Sequence, residues 1–319
     1  MILVIRKHNS MNDSTRLVDR QLETSRYFLT DVQEDCVCCG VTYAGSGPFC
    51  MRCMAPLELS RTVRRRGTPP RFIPVLGASG AGKTVYLGML LDILSKGTQN
   101  LAGLTTGSFS MGLQIQTTTA LENRRFPEKT PVEAEGWQWV HCEVTGRAMS
   151  KAYADVITPD FAGESLAQEI DHPNSYPAIR HVLEKAQGLL VLCDSMRVRD
   201  AALGEDLFAM KLASYLVQLH ESLPDRRHLR KLEMPLAVVL TKSDECPEAG
   251  DNPELFASSN LPRLLQFCQR RFAKHGFFAS SVVGSSARLI DAHGCRTQVP
   301  LHIEPHGIAE PLEWIIGES

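Results

Sequence analysis

The sequence lacks both a long uninterrupted hydrophobic run and an excess of charge of one sign. No stretch approaches the roughly 18 consecutive apolar residues of a membrane-spanning helix, so no membrane span is predicted. The formal net charge of −2 and the absence of an aromatic-rich basic strand argue against nucleic acid as a partner. The opening MILVIRKHNS has too few apolar residues for a signal-peptide core, and we expect a cytoplasmic protein.

Cysteine, in contrast, is abundant: there are ten in the chain. Two C-x-x-C pairs, Cys36/Cys39 and Cys50/Cys53, flank a ten-residue loop. Each pair is a turn that aims two thiolates at one point, and two such turns complete a tetrahedral Zn²⁺ site. Cys38 is surplus to four-coordination. A redox-active dithiol or a disulfide pair is the alternative, but the ribbon spacing favours structural zinc and a docking role.

These features divide the chain into four parts. We predict an N-terminal tail over residues 1–35, a zinc ribbon over 36–60, a basic linker over 61–70 and one large α/β domain over 71–319. The arginines of RTVRRRG in the linker are interpreted as a solvated stretch, with a contact to phosphate or to an acidic partner as the alternative.

The stretch VLGASGAGKT, residues 75–84, follows a short apolar run and precedes an amphipathic segment. The G-x-x-x-x-G-K-T spacing between a strand and a helix is typical of a phosphate-binding loop. Lys83 would reach the terminal phosphates and Thr84 would ligate Mg²⁺. The residues predicted to bind nucleotide here are Gly77, Ser79, Gly80, Ala81, Gly82, Lys83, Thr84 and Val85.

A second motif follows two predicted strands, WQWVHCEV (137–144) and KAYADVI (151–157), joined by a short turn at residues 145–146. Asp160 then stands at the carboxyl end of a strand, where ligands bind in open α/β sheets, with Gly163 three residues on. We expect Asp160 to hold Mg²⁺ through water and the Gly163 N–H to bond the γ-phosphate.

The third motif indicates which base is bound. At the end of the apolar run LAVVL, Thr241, Lys242 and Asp244 match the T-K-x-D pattern, in which the aspartate accepts two hydrogen bonds that guanine offers and adenine does not. An ordinary charged turn is the alternative. One predicted strand further, Ser286 and Ala287 occupy the position from which a backbone N–H would touch the guanine oxygen.

The order of these motifs resembles that of Ras-like GTPases of the translation-factor-related class. The cysteine pairs ahead of the domain and a terminal EPLEWII resemble, more narrowly, the double-GTPase proteins of bacterial conflict and defence systems. The resemblance implies a P-loop NTPase three-layer sandwich, with a mostly parallel sheet and one antiparallel edge hairpin. It also implies a GTP-hydrolysing switch with GTP, Mg²⁺ and Zn²⁺ as cofactors, and a protein effector or a second GTPase as partner.

The chain departs from that family where a water-orienting glutamine is common, because Glu164 stands there. Slow hydrolysis is therefore expected, and a nucleotide-binding scaffold without turnover stays an alternative, as does an ATPase of the same fold. Thr130 in FPEKTPV is our choice for the first-switch Mg²⁺ ligand, with Thr105, Thr106 and residues 117–119 as rivals. The catalytic candidates are Lys83, Glu164 and Thr130, and the reporting loops are 100–134 and 161–176. An arginine needed for hydrolysis would come from a partner, or from Arg124 or Arg125.

Overall fold

The fold is described from a computed structural model that covers residues 33–43, 47–147, 149, 153–201, 204–223, 230–290 and 296–318. Nearly all of the predicted tail, residues 1–32, lies outside the described residues. No helix within the described ranges is long and apolar enough to cross a membrane.

Extended segments and helices alternate along the chain. The strands are β1 (Glu34–Asp35), β2 (Thr42–Tyr43), β3 (Arg71–Phe72), β4 (Val75–Gly77), β5 (Leu101–Thr106), β6 (Gln138–Gly146), β7 (Ala154–Asp160), β8 (Leu189–Asp194), β9 (Leu236–Thr241), β10 (His275–Ala279), β11 (Ser281–Ile290) and β12 (Arg296–His306). The helices are α1 (Leu57–Arg66), α2 (Lys83–Lys96), α3 (Ser108–Glu122), α4 (Gly163–Asp171), α5 (Pro177–Glu184), α6 (Ser195–Ala201), α7 (Gly204–Glu221), α8 (Pro247–Asp251), α9 (Pro253–Asn260), α10 (Pro262–Arg271) and α11 (Glu310–Glu318).

The central sheet has a parallel half and a largely antiparallel half. Strands pair in the order β10-β9-β8-β4, all parallel, and in the order β3-β7-β6-β5, where only β3 and β7 are parallel. The two halves are joined through β3 and β4, which are separated only by residues 73–74. The strand is interrupted there because Pro74 has no N–H to donate to a neighbouring strand. The predicted α/β class, mostly parallel with an antiparallel edge, is confirmed.

Helices cover both faces of this sheet. Along β9, Leu236, Val238 and Leu240 join the hydrophobic core that contains α4, α5, α7 and α10, while Ala237 and Val239 join the core that contains α2, α3 and α11. Every residue of β8 and β9 is buried, as expected for parallel strands covered on both sides. The resulting three layers place the carboxyl ends of the parallel strands at one edge.

The antiparallel half is larger than the sequence analysis predicted. The interval 100–134, predicted as a loop, contains β5 and α3. Thr145 and Gly146, predicted as the hairpin turn, belong to β6 because they pair with Ala102 and Leu101 of β5. The third strand could not be foreseen from local pattern, since LAGLTT has no clean alternation of apolar and polar residues.

The cysteine segment packs directly on the main domain. Its buried cysteines share a hydrophobic core with Ile179 and Val182 of α5. Lys185 Nζ donates to the carbonyl oxygen of Val37 at 2.8 Å, and the Cys38 thiol lies 4.0 Å from the carbonyl oxygen of Ala178. The fifth cysteine, surplus in the sequence analysis, therefore fills the contact between the ribbon and α5.

The predicted basic linker is mostly helical, since α1 extends through residue 66. Its last arginine is not solvated: Arg66 Nη1 donates to Asp155 Oδ1 at 2.9 Å and also to Glu143. His141 Nε2 lies 2.8 Å from the same Asp155 oxygen, and burial lowers the pKa of His141, which keeps the ring neutral at pH 7. This network ties α1 to β6 and β7.

We expect Arg66→Met to reduce the free energy of unfolding by about 2 kcal/mol, because it leaves the fully buried Asp155 carboxylate without its cationic partner. The loss stays below that of a wholly buried pair because the Arg66 side chain is 22% exposed. Urea unfolding followed by circular dichroism measures it.

Arg65→Met is the matched control, since Arg65 is 70% exposed and its partners among the described residues are the exposed Glu58 and the half-buried Thr62. Its stability should stay within about 0.5 kcal/mol of the wild type. Equal losses in the two variants would contradict a structural role for the Arg66 network.

Candidate functional site

A cleft of about 360 Å³ opens at the carboxyl edge of the parallel strands. It lies where ligands bind in open α/β sheets. Four segments supply most of its lining: residues 79–86, 126–130, 162–164 and 241–245 without residue 243. The β11–β12 hairpin and the residue before it complete the lining with Ser280, Val282, Val283 and Gln298.

The glycine-rich loop follows β4 and ends where α2 begins. Gly80 and Gly82 have φ of +80° and +88°, in the left-handed region that favours glycine. These two turns let the loop curl around the N-terminus of α2. Residues Ser79, Gly80, Ala81, Gly82, Lys83, Thr84 and Val85 line the cleft, and Gly77 lies buried at the end of β4.

The carbonyl groups of this loop have partners on the protein. Lys83 Nζ donates to Gly77 O at 3.1 Å and to Ala78 O at 3.0 Å. Thr241 Oγ1 donates to Ala81 O at 2.9 Å, so the loop is tied to the end of β9. Burial lowers the pKa of Lys83.

Three oxygen-bearing side chains converge beside the loop. Thr84 Oγ1 and Thr130 Oγ1 donate to Asp160 Oδ2 at 2.8 Å and 2.7 Å, and the two hydroxyls lie 2.8 Å apart. Asp160 is 1% exposed, and its second oxygen, Oδ1, is buried with no hydrogen-bond partner among the described residues. Burial raises the pKa of Asp160, an effect that a bound cation would oppose.

Thr130 reaches this point, and three of its rivals bond elsewhere. Thr105 bonds to Gln114, Thr106 bonds to the carbonyl oxygen of His141, and Thr118 bonds to the carbonyl oxygen of Gln114. These three rivals lie on β5 and α3, elements that the sequence analysis had not foreseen.

Gly163 and Glu164 approach the loop from the start of α4. A Cβ added at Gly163 would lie 2.3 Å from the backbone nitrogen of Ser79, so this close approach requires glycine. Ser79 Oγ donates to Glu164 Oε1 at 2.6 Å. That hydrogen bond lowers the pKa of Glu164, which is therefore an anion at pH 7.

The T-K-x-D segment closes the other end of the cleft. Lys242 has φ of +59° and its Nζ pairs with Asp194 at the end of β8. Asp244 is partly exposed to the cleft and contacts the Ser281 hydroxyl. Burial raises the pKa of its carboxyl group.

Ser286 and Ala287, predicted to touch the guanine oxygen, lie beside the cleft: Ser286 Oγ donates to Glu245 Oε1 and accepts from Gln298 Nε2, and both of these partners line it. Ser286 and Ala287 belong to the middle of β11, paired with Pro300 and Val299 of β12, and neither lines the cleft. The reason is that β10 ends at Ala279, so the chain passes the cleft at Ser280, seven residues before Ala287. A two-residue motif carries too little pattern to reveal this offset.

Two further residues near the cleft were missed. The indole of Trp137 packs 4.8 Å from the Phe161 ring and 5.6 Å from the Tyr176 ring, and its Nε1 donates to Pro131 O at 3.1 Å. Arg197 of α6 donates from Nη1 to Ser79 O at 2.6 Å. A tryptophan beside a strand is usual in a core, and Arg197 belongs to no motif, so neither gave a signal.

The sulfur atoms of Cys36, Cys39, Cys50 and Cys53 all lie within 4.8 Å of one another. The Cys36–Cys53 and Cys39–Cys50 separations are both 3.5 Å. A tetrahedral ion with Zn–S bonds of about 2.3 Å sets sulfur atoms about 3.8 Å apart, so the cluster fits such an ion. With four thiolates no coordination position stays open for catalysis.

Comparison with protein families identified one match. The family model described as Double-GTPase 2 matches residues 71–297. No curated protein matches the chain.

Similar solved structures are all distant in sequence. The Saccharomyces cerevisiae (S. cerevisiae) Ski7 GTPase-like domain, bound to GDP and inorganic phosphate, has 16% identity and a TM-score of 0.44 over 80% of this chain and 51% of that chain. Roco2 RocCORdC of Methanosarcina barkeri, bound to GDP, has 19% identity and a TM-score of 0.26 over 66% and 42%. The small COPII coat GTPase SAR1 of Encephalitozoon cuniculi, in complex with GDP, has 12% identity and a TM-score of 0.34 over 97% and 92%. This chain thus spans about half the length of the Ski7 chain and less than half that of Roco2.

We expect purified protein to carry one zinc ion per chain and Cys39→Ser to lose it, because a serine hydroxyl does not replace a thiolate ligand. Metal analysis of the purified proteins measures the content. Cys38→Ser is the matched control, since Cys38 is the neighbouring cysteine of the ribbon, is more buried than Cys39 and stands outside the four-sulfur cluster. Loss of zinc from both variants, or a metal-free wild type, would contradict the assignment.

Proposed function

The chain belongs to the Double-GTPase 2 family, and we propose that it hydrolyses GTP to GDP as a molecular switch. Membership of this family makes it a GTP-binding protein. One observation carries the further step to hydrolysis: Thr84, Thr130 and Asp160 converge beside the phosphate loop, and a buried oxygen of Asp160 has no hydrogen-bond partner in the part of the chain that the structure describes.

We propose that these three side chains hold Mg²⁺. Hydroxyl and carboxylate oxygens are the hard donors that this ion prefers, and the unpartnered Asp160 Oδ1 supplies a reason for a cation at this point. When bound, Mg²⁺ neutralises charge on the phosphates of the nucleotide. Lys83, at the start of α2, would add its own positive charge to the terminal phosphates.

The switch part of the proposal rests on where these groups come from. Thr130 belongs to the segment before β6, and Gly163 begins α4 after β7, so the two reach the loop from the open end of one hairpin, where Gln138 pairs with Asp160. A γ-phosphate would bind both segments at once, and its loss would release both segments from the loop. The responding regions are narrower than the loops 100–134 and 161–176, because residues 101–106, 108–122 and 163–171 are regular structure.

For base selection we propose Asp244, with the backbone near Ser280 in place of Ser286 and Ala287. Asp244 lines the cleft with its carboxylate partly shielded from water, where an unmatched acceptor costs about 1–3 kcal/mol. Guanine offers two donors to that carboxylate and adenine does not. An ATPase of this fold would require Asp244 to have no part in base choice.

A second candidate function is a nucleotide-binding scaffold without turnover. The observation in its favour is the ionised Glu164, hydrogen-bonded to Ser79 at the position from which water would be oriented. An anion there repels the anionic γ-phosphate and disfavours hydrolysis. In this alternative the ribbon, packed on α5, would provide the binding surface for a partner.

The biological setting is also a proposal. The family resemblance supports a role in a bacterial multi-protein signalling or defence system, with an effector protein or a second GTPase as partner.

We expect wild-type protein to bind GTP in preference to ATP. Lys83→Ala should lose affinity for both nucleotides, because the phosphate contact is common to them. Asp244→Asn should bind GTP about 10-fold to 100-fold more weakly, which corresponds to the lost base contact. Isothermal titration measures both variants, and equal binding of ATP unaffected by Asp244→Asn would contradict guanine recognition.

We expect Glu164→Gln to raise the single-turnover rate of phosphate release by about tenfold, or about 1.4 kcal/mol of barrier, because it removes an anion from beside the phosphate loop. Glu133→Gln is the control, as Glu133 is an exposed acid on the segment before β6. Tight GTP binding with no phosphate release in either variant would favour the scaffold.

A further inference from the structure

We propose that Arg197 is a positioning residue that turns the Ser79–Gly80 peptide so that the Gly80 N–H faces the phosphates. This inference rests on the proposed function, since it requires a nucleotide in the cleft. Arg197 lies on α6, more than 110 residues beyond the phosphate loop, and belongs to none of the nucleotide-binding motifs.

The argument begins with one hydrogen bond. Arg197 Nη1 donates to Ser79 O at 2.6 Å. The Ser79–Gly80 peptide bond is trans, as are all peptide bonds of the described residues. In a trans peptide the carbonyl and the N–H point in opposite directions. Since Arg197 holds the carbonyl on the outer side of the loop, the Gly80 N–H is directed inward.

The conformation of Gly80 fits this arrangement. Its φ of +80° suits glycine alone, and a Cβ built there would lie 2.9 Å from Arg197 Nη2. The guanidinium therefore occupies the space in which a side chain at position 80 would stand. Ser79 and Gly80 both line the cleft, whereas Arg197 is outside the set of lining residues, as expected for a group acting through the loop.

Two acidic side chains hold the guanidinium in place. Arg197 Nε lies 3.7 Å from Asp194 Oδ2, and Nη1 lies 3.4 Å from Glu205 Oε1. Asp194 and Glu205 are both buried. Asp194 also pairs with Lys242, so one carboxylate orients both Arg197, which bonds to the phosphate loop, and the lysine of the base-binding segment. The fixed planar fork of arginine suits several acceptors at once, which a lysine matches only in part.

The other loop carbonyls show why this residue is needed. Gly77 O and Ala78 O accept from Lys83, and Ala81 O accepts from Thr241. Those donors belong to the G-K-T and T-K-x-D motifs. Among the described residues, Arg197 is the side chain that donates to Ser79 O, so this loop carbonyl is held from outside the motifs. Backbone N–H groups aimed inward are what a phosphate loop offers its ligand.

The test compares Arg197→Met, Arg197→Lys and the control Arg199→Met, using the full chain with GDP and GTP as probes. Arg199 lies on the same helix, is exposed and pairs with its neighbour Asp200. We expect Arg197→Met to weaken the affinity for GDP and for GTP about tenfold, the scale of a lost hydrogen bond to a charged group. Arg197→Lys should recover most of that affinity, because an ammonium can still donate to Ser79 O. Arg199→Met should bind like the wild type.

Thermal unfolding of the nucleotide-free proteins separates positioning from folding. We expect Arg197→Met to melt within a few degrees of the wild type while its nucleotide affinity falls. Glu205→Gln provides a second variant, which loosens the guanidinium without removing it and should lose less affinity than Arg197→Met. Unchanged binding by Arg197→Met would overturn the proposal, and so would equal losses in the methionine and lysine variants or an equal loss in Arg199→Met.

Failure of the proposed function has a different signature. A wild type that binds neither GDP nor GTP overturns both the function and the role of Arg197. The other case is a wild type that binds both nucleotides, a Lys83→Ala variant that loses this binding and an Arg197→Met variant that keeps it. That result overturns the role of Arg197 alone.

Discussion

The geometry of the cleft depends on one constraint: a loop that aims its N–H groups at a ligand must turn its carbonyl groups away from it, and those carbonyls need partners. Here the partners come from three different elements. Lys83 opens α2, Thr241 ends β9, and Arg197 lies on α6 immediately after β8. The loop keeps its shape because β8 and β9, buried on both faces, hold these donors at a fixed distance from β4.

The sequence pattern was sufficient to predict the position of side chains that lie next to strand ends. The G-K-T turn and the aspartates at 160 and 244 all sit next to strand ends, so adjacent residues determine where their side chains go. Thr130 has a weaker sequence signal, and it reaches Asp160 because its segment leads into the hairpin whose last residue is that aspartate.

Contacts between distant segments could not be predicted in this way. Arg197 meets Ser79 across 118 residues, and nothing in SMRVRDA marks one arginine above the other. The offset between Ser280 and Ser286 depends on where β10 ends, which is set by its pairing with β9. Likewise the segment interpreted as a linker is mostly helical, and its last helical residue, Arg66, pairs with Asp155 on β7, a contact that only the assembled sheet brings about.

Trp137 has a consequence of another kind. Its indole joins the residue after Thr130 to the residue after Asp160, through a hydrogen bond to Pro131 and a ring contact with Phe161. The chain has three tryptophans, and of the other two Trp139 is buried in the same hairpin while Trp314 packs against Phe278 on the far side of the sheet. An intrinsic fluorophore thus stands at the junction of the two segments that would respond to the γ-phosphate. If these segments move with the γ-phosphate as proposed, the emission of Trp137 would change with them, without any attached dye.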